Sequence, residues 1–374
     1  MDHCERKRLA VIDLWDRGHY LRTSTVPMME NADADLESWW QERRMGAELP
    51  PLDDAISHAQ SVVSRYTARG IRLICAGDAN YPKYLRAMTG RPAVLAVRGD
   101  VDLLSAPQVA IVGSRQAHAS AERLTACITD ALISRGAMIT SGGAYGIDAL
   151  AHRHAMARGK PTVVVTASCD APCIPSENAD IFDYAVAHGA VITPFPLNHP
   201  ARRAHFPLRN ALMAGLSLAC VIIHCRVQSG ALYTAAASLR CSRPVYVAAI
   251  DGFDVLTEGG LQLVKSGHAR LLSSCNDIDI PQLSPNTTNG IQGILPLSSK
   301  TDASIPEYFP SDTHTQIAIL NHLTKQPLTR ESLRRRVDSP EDFDDALLEL
   351  ELSERVQSVG GMYRTKAHMY AHHR

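Results

Sequence analysis

A glycine-rich stretch at residues 141–155, SGGAYGIDALAHRHA, limits the possible folds more than any other part of the chain. It follows an apolar run that predicts a buried strand, and apolar residues recur at helical spacing after it. Gly142, Gly143 and Gly146 lie between the two elements. Such a turn can present backbone N–H groups to an anion, because the first turn of a helix has no internal acceptors and the dipole is positive there. The same pattern is also typical of a tight turn that binds nothing, so this turn alone leaves both interpretations open.

A second turn of this kind comes earlier in the chain. An apolar run at 108–113 predicts a strand, which ends in Gly113, Ser114 and Arg115 and is followed by a helical pattern. The carboxyl ends of parallel strands lie at one edge of an open α/β sheet, and ligands bind at that edge. Arg115 would add a fixed positive charge there, although a solvated surface arginine is the alternative. The pair of turns predicts an anion-binding edge more strongly than either turn alone.

A third turn of this type follows the apolar run at 219–224. Ser229, Gly230 and Thr234 begin the next helical pattern. The hydroxyl groups can bind a phosphate or cap the helix, and capping is the commoner role in proteins. Both roles stay open from the sequence.

Regular alternation of apolar runs and helical segments sets the predicted fold class. Six parallel strands are expected, at 108–113, 137–141, 161–166, 190–193, 219–224 and 244–249. Two earlier runs, at 71–75 and 93–97, are expected to extend the sheet ahead of Gly113. The prediction is an α/β fold with an extended Rossmann-like, doubly wound parallel sheet.

The rest of the chain divides by composition and periodicity. Residues 1–70 predict an N-terminal helical domain, and 71–275 the Rossmann-like domain. Residues 276–311 are rich in Pro, Asn, Ser and Thr with little periodicity, which predicts a linker. Residues 312–374 predict three helices and a hairpin, typical of a winged-helix domain.

The predicted third helix of the winged-helix domain argues against duplex DNA binding. It carries six acidic residues and no lysine or arginine: Glu341, Asp342, Asp344, Asp345, Glu349 and Glu351. Phosphate neutralisation dominates DNA affinity, so a duplex would be repelled by this face. Protein interaction is therefore the preferred function of this domain, and a scaffold that acts through it is one possible function class. The basic run at 334–336 favours DNA but is equally typical of a solvated face.

The most basic segment of the chain lies at 198–210. Its charged side chains are His199, Arg202, Arg203, His205 and Arg209, and Asn210 follows. Arginine suits a nucleic acid because it makes bidentate phosphate contacts and stacks on bases. A solubilising loop is the alternative. The formal net charge is −1, so nucleic-acid binding would have to depend on a local patch of this kind.

No catalytic set, metal site or cofactor is predicted. Asp148 and His152 are four residues apart on one predicted helix and share a face. They could form an acid–base pair or two ligands of a metal, but a helix-start carboxylate and an internal histidine are commoner. Cys169 and Cys173 have no second pair placed by spacing, so incidental thiols are favoured over zinc. Nine cysteines in 374 residues, no signal peptide and no bilayer-length apolar run predict a cytoplasmic protein without a membrane partner.

Five ordered motifs resemble those of the DNA-processing protein A family, DprA, also called Smf. They are the Gly113-Ser114-Arg115 turn, 141–152 (SGGAYGIDALAH), 206–210 (FPLRN), 214–217 (AGLS) and 229–235 (SGALYTA). The resemblance covers residues 70–272 and marks a divergent member. Tyr145 stands where the family usually has an arginine, and Ala211 where a second arginine usually follows.

The turns, the basic segment and the resemblance together give a set of candidate DNA- or phosphate-binding residues. They are Gly113, Ser114, Arg115, Ser141, Gly142, Gly143, Gly146, Asp148, His152, Arg202, Arg203, Arg209, Asn210, Ser229, Gly230 and Thr234.

The resemblance implies a non-catalytic single-stranded DNA-binding protein. It would protect incoming DNA and help to load the RecA recombinase in natural transformation, as a homodimer formed through the Rossmann-like domain. A nucleotide-sensing protein of the wider superfamily is the alternative, because the departures at Tyr145 and Ala211 could suit a smaller ligand. The P-G-G-x-G-T-x-x-E signature of nucleotide-cleaving relatives is absent, which favours sensing over cleavage within that alternative.

Overall fold

The structure is a computed structural model that describes residues 1–18, 25–44, 49–167, 175–197, 205–227, 229–248, 257–283, 314–337, 343, 346–347, 350, 356–359 and 362–365. These residues belong to two compact units. The larger consists of Met1–Leu36, Pro51–Pro200 and Arg209–Tyr308, and the smaller of Glu37–Pro50, Ala201–Leu208 and Phe309–Arg374.

The described helices are α1 (His3–Asp16), α2 (Thr25–Glu30), α3 (Leu36–Arg44), α4 (Leu52–Thr67), α5 (Ala119–Ser134), α6 (Ile147–Ala157), α7 (Ala179–His188), α8 (His205–Leu216), α9 (Ala231–Arg240), α10 (Glu258–Lys265), α11 (His314–Leu323) and α12 (Arg330–Arg334). The described strands are β1 (Arg72–Cys75), β2 (Val94–Gly99), β3 (Gln108–Gly113), β4 (Met138–Ser141), β5 (Thr162–Val165), β6 (Ala190–Thr193), β7 (Ala219–Ile223), β8 (Val245–Ala248), β9 (Arg270–Leu272), β10 (Leu328–Thr329), β11 (Val356–Val359) and β12 (Met362–Thr365).

A nine-stranded sheet forms the centre of the larger unit, with the order β1-β2-β6-β5-β4-β3-β7-β8-β9. The six strands predicted between residues 108 and 249 are confirmed to within one or two residues at each end. Every residue of β5 and of β7 is buried, as expected for strands covered on both faces. The α/β prediction is therefore confirmed for this unit.

The sheet is mixed, which corrects the prediction of an all-parallel one. Strands β3 to β9 pair in parallel, whereas β1 and β2 are antiparallel to each other and β2 is antiparallel to β6. We expected β1 and β2 to extend the sheet ahead of Gly113, but they lie beyond β6. The strand that ends at Gly113 has β4 and β7 on its two sides, so β6 offers the open edge that β2 occupies.

The strand order reverses at β3. The chain moves outward from β3 through β4, β5 and β6, then returns to the other side of β3 with β7. Open α/β sheets bind ligands at such a reversal, in the crevice outside the carboxyl ends of the strands. The first and third glycine turns leave the two strands that flank this point.

The N-terminal helices α1 and α4 pack into the larger unit, although residues 1–70 were expected to form their own domain. Trp15 on α1 is 2% exposed, and its indole N–H donates to the carbonyl of Pro194 at 2.7 Å. The Tyr66 hydroxyl on α4 accepts the Leu197 N–H at 2.7 Å. The buried faces of α1 and α4 therefore contact the chain that leaves β6.

Residues 276–283, predicted as the start of the linker, are part of the core of the larger unit. Ile278 and Ile280 are each 1% exposed. The Arg135 guanidinium donates to the carbonyls of both, and the Tyr246 hydroxyl donates to the Asp279 carbonyl at 2.5 Å. A disulfide also joins Cys127 on α5 to Cys275. The described part of the predicted linker is thus ordered by packing, and residues 284–311 lie outside the described chain.

The C-terminal part of the smaller unit contains α11, α12 and a three-stranded antiparallel sheet with the order β10-β12-β11. Four residues of the predicted third helix are described: Phe343, Ala346, Leu347 and Leu350. All four are buried with Leu323 and Leu333 in one apolar cluster. The six acidic residues of that helix lie outside the described chain, so the winged-helix assignment stays a prediction.

Of the helices that the structure describes, none has both the length and the apolar character required to cross a membrane.

Candidate functional site

The three glycine turns lie side by side at the carboxyl edge of the sheet. We call residues 113–118, 142–146 and 224–230 the first, second and third turns. They follow β3, β4 and β7, and β3 pairs in parallel with both of the other strands. The predicted meeting of the turns at one edge is confirmed.

Close contacts join the first turn to the other two. The Ile147 N–H at the start of α6 donates to the Ser114 carbonyl at 3.1 Å, and the Ser114 N–H donates to the Ile223 carbonyl at 3.3 Å. A Cβ on Gly146 would lie 2.2 Å from the Ser114 oxygen, and this residue has φ +72°. Glycine is thus needed at 146 for the packing of one turn on the next.

The second turn carries its own anion. The Asp148 carboxylate accepts the backbone N–H groups of Gly142 at 3.1 Å and Ala144 at 3.4 Å. Asp148 is 7% exposed and lies on the first turn of α6. A carboxylate tethered at this point competes with any external phosphate for the same donors. The simple expectation of a bare N–H cradle is therefore wrong for Gly142 and Ala144, and the Ile147 N–H is occupied as well.

Arg209 is buried behind the second turn. It is 6% exposed, its Nη1 lies 4.0 Å from Asp148 Oδ2, and the same nitrogen donates to the Val165 carbonyl at 3.3 Å. A Cβ on Gly142 would lie 1.3 Å from Arg209 Nη1, so the guanidinium occupies the space that the glycine leaves. Burial raises the pKa of Asp148, while the Arg209 charge and the N–H donors oppose that rise. Burial also lowers the pKa of Arg209.

Two further candidates are fully buried within the fold. The Ser141 hydroxyl donates to the Ile111 carbonyl of β3 at 2.6 Å. His152 Nδ1 lies 2.7 Å from the Thr162 hydroxyl on β5. Burial lowers the pKa of His152 from 6.5 to about 3, so the ring is neutral. Asp148 and His152 share a helix face but bond to different partners. This agrees with the commoner alternative, a helix-start carboxylate and an internal histidine, and not with an acid–base pair.

The third turn is tied to α8. The Asn210 side-chain amide donates to the Gly230 carbonyl at 3.2 Å, and Asn210 is 8% exposed. The Ser229 hydroxyl accepts the Ala231 N–H at 3.3 Å at the start of α9, which is a capping role. Thr234 is 1% exposed on the same helix. Gly230 is exposed.

An exposed rim surrounds these internal contacts, and we define it as Arg115, Tyr145 and Arg226. Arg115 is exposed on the first turn, where Ser114 bonds internally to the backbone of Gln116. Arg226 is exposed on the third turn and was missed from the sequence, although it directly follows a predicted strand. Tyr145 is 46% exposed on the second turn.

Gly143 completes the second turn, and its backbone is braced by a residue that sequence reasoning missed. The Asn178 side-chain amide donates to the carbonyls of Gly143 at 2.9 Å and Ala144 at 3.1 Å.

Arg202 and Arg203 lie outside the described residues, as do Cys169 and Cys173. Over the described ranges, no group of three or more His, Cys, Asp or Glu side chains is arranged to hold a metal ion.

Comparison with known proteins identifies the family. The chain is 30% identical over 218 residues to the DNA processing protein DprA of Bacillus subtilis (strain 168), which is 58% of this chain and 73% of that protein. It is 33% identical over 196 residues to Protein Smf of Escherichia coli (strain K12), which is 52% of each chain. The fold matches DprA from Streptococcus pneumoniae with a TM-score of 0.61 at 24% identity, covering 71% of this chain and 94% of that one. Residues 72–280 match the family described as DNA recombination-mediator protein A, and the chain belongs to that family.

Proposed function

We propose that the chain binds single-stranded DNA without catalysing a reaction, and that the strand crosses the carboxyl edge of the sheet at the rim. Arg115 is the observation that carries this proposal. It is an exposed arginine on the turn of the central strand β3, at the point where the strand order reverses. Arg226 follows the neighbouring strand β7 and is also exposed. Guanidinium groups at this edge suit the phosphates of a strand.

The buried network favours a strand over a small nucleotide. A mononucleotide in a glycine-rich pocket depends on turn N–H groups for its phosphate. Gly142 and Ala144 donate theirs to Asp148. A strand needs no such cradle, because its affinity comes from several exposed cation–phosphate contacts. The nucleotide-sensing alternative is thereby disfavoured.

Family membership supports a proposal for the biological role. The Bacillus subtilis relative is named for DNA processing, and the family is described as a recombination mediator. We propose that this chain protects incoming strands and helps to load RecA during natural transformation, in the cytoplasm and as a homodimer. Arg202 and Arg203 would add phosphate contacts, and the C-terminal domain would bind a protein.

Fluorescence anisotropy with a labelled oligo-dT strand tests the binding proposal. The measurement compares the wild type with Arg115→Ala and Arg226→Ala over a series of salt concentrations. Each variant should bind more weakly, and each should reduce the slope of log K against log salt by about 0.7, the value for one lost phosphate contact on a single strand. Arg209→Ala is unsuitable here, because loss of that buried group would disturb the fold.

Arg158→Ala is the matched control. Arg158 follows the last residue of α6, where it is 56% exposed, and it pairs with Asp130 away from the three turns. Its removal should leave affinity and salt slope unchanged. If the wild type binds no strand at low salt and a mononucleotide raises its melting temperature, the chain is a nucleotide sensor.

A RecA filament assay on strands covered by single-strand-binding protein tests the loading role. The wild type should shorten the lag in filament growth, and Arg115→Ala should shorten it less. If the protein binds the strand tightly but leaves the lag in RecA filament growth unchanged, the proposed role is limited to protection of the strand.

A further inference from the structure

The Tyr145 ring is exposed at the edge where the three turns meet. Among the described Phe, Trp and Tyr residues, Tyr145 has the most exposed side chain, at 46%. The next residue, Gly146, packs against the first turn so closely that a Cβ would lie 2.6 Å from the Arg115 carbonyl carbon. Tyr145 thus lies one residue before the point at which the second turn packs on the backbone of Arg115.

The neighbours of the second turn hold the backbone that carries Tyr145 in place. The Glu177 carboxylate beside the Tyr145 hydroxyl raises the pKa of that hydroxyl. Glu177 belongs to the short 3-10 helix Ser176–Asn178, and Asn178 donates to the carbonyls of Gly143 and Ala144. The Arg153 guanidinium fixes this helix through the Glu177 carbonyl at 3.1 Å and Asn178 Oδ1 at 3.0 Å. A side chain on a turn that is ordered before binding loses less conformational entropy when a ligand packs on it than one on a flexible loop.

The charge beside the ring selects the kind of group that can bind there. The backbone N–H of Glu177 lowers the pKa of its carboxyl, and the Tyr145 and Ser176 hydroxyls lower it further, so the carboxylate is ionised at neutral pH. An ionised carboxylate repels a phosphate at this point, whereas Arg115 attracts one beside it. A flat, uncharged group fits the ring. The nucleobases of a single strand have this character and stack on aromatic side chains with little regard to sequence.

We propose that Tyr145 is a stacking platform for one nucleobase of the bound strand, next to the phosphate contact at Arg115. The inference rests on the proposed function and adds a second kind of contact to it. Arg115 contributes salt-dependent affinity, and Tyr145 contributes affinity that depends on the presence of bases.

Abasic strands separate the two contributions. The experiment measures anisotropy with labelled oligo-dT and with a strand of equal length made of abasic tetrahydrofuran units. Wild type and Tyr145→Ala are each titrated with both strands. Tyr145→Ala should bind oligo-dT about tenfold more weakly than the wild type, within the range for one base–aromatic stack. Both proteins should bind the abasic strand equally.

Two other substitutions sharpen the test. Tyr145→Phe keeps the ring and loses only the hydroxyl, so it should retain most of the discrimination between oligo-dT and the abasic strand. Tyr145→Arg exchanges the ring for a cation, so its salt slope should rise by about 0.7 relative to Tyr145→Ala. Because Tyr145 is exposed, all three variants should have the melting temperature of the wild type, and this measurement is the control for folding.

The outcomes distinguish this inference from the proposed function. Salt-dependent wild-type binding with equal loss of affinity on both strands in Tyr145→Ala would overturn stacking and leave the proposed function standing. Unchanged affinity of Tyr145→Ala for oligo-dT would do the same. If the wild type binds neither strand at low salt, both proposals fail.

Discussion

The inner and outer parts of the site differ in what their polar groups contact. The inner part consists of Ser141, Asp148, His152 and Arg209, which are buried and contact one another, backbone groups or the Thr162 hydroxyl. The outer part is the exposed rim. The family motifs contain most of the inner residues, yet these residues build the turns. Our proposal assigns ligand contact to the rim, where Tyr145 is a departure from the family pattern.

This difference implies that stability and affinity depend on separate residues. A substitution in the inner part leaves an unpaired buried charge or a strained backbone, and either one lowers the free energy of unfolding. Truncating an exposed side chain normally changes stability by less than about 0.5 kcal/mol. Substitutions in the inner part should therefore lower the free energy of unfolding first and strand binding only as a consequence.

The largest expected effect is that of Arg209→Ala. It leaves the Asp148 carboxylate buried without its cation, and loss of one partner from a buried pair costs about 3–5 kcal/mol. Urea unfolding followed by circular dichroism measures the change.

The double variant Asp148→Asn, Arg209→Ala is the control for this prediction. It removes the orphaned charge as well, so it should be less destabilised than the sum of the two single variants. If Arg209→Ala unfolded at the same urea concentration as the wild type, Arg209 would not stabilise the buried Asp148 carboxylate and would belong with the rim instead.

Two glycines that flank α6 give a matched pair with a smaller effect. Gly146→Ala places a Cβ 2.2 Å from the Ser114 oxygen at φ +72° and ψ −125°, so both the backbone and the turn contact are forced. We expect a loss of about 3 kcal/mol in the free energy of unfolding. Gly159→Ala has φ +63° with nothing within 4 Å, so only the left-handed backbone is penalised, by about 1 kcal/mol. If urea unfolding gave the same loss of free energy for Gly146→Ala and Gly159→Ala, the second turn would not pack on the first turn as described.

Local patterns predicted the strands and the shared edge well, because hydrophobic runs and glycine turns depend on neighbouring residues. The features that the sequence did not predict depend on partners far apart in sequence. Nothing near Arg209 indicates that it is buried against Asp148, and nothing near residue 276 indicates that 276–283 complete the core. The edge position of β1 and β2 likewise depends on β6. Asp148 was recognised as a helix-start carboxylate, but which N–H groups it accepts is decided by the path of the turn.

The last expected effect on stability concerns His152 and pH. Burial holds the pKa of His152 at about 3, against 6.5 in the unfolded chain. The unfolded state therefore binds the extra proton between these values, and stability is lost as the pH falls below 6.5. At about 1.4 kcal/mol per unit, acidification to about pH 5 should cost about 2 kcal/mol. Urea unfolding at several pH values should show this slope, and His152→Gln, which cannot titrate, should flatten it. An equal slope in the variant would mean that the pKa of His152 is the same in the folded and unfolded states, which would contradict the burial of the ring.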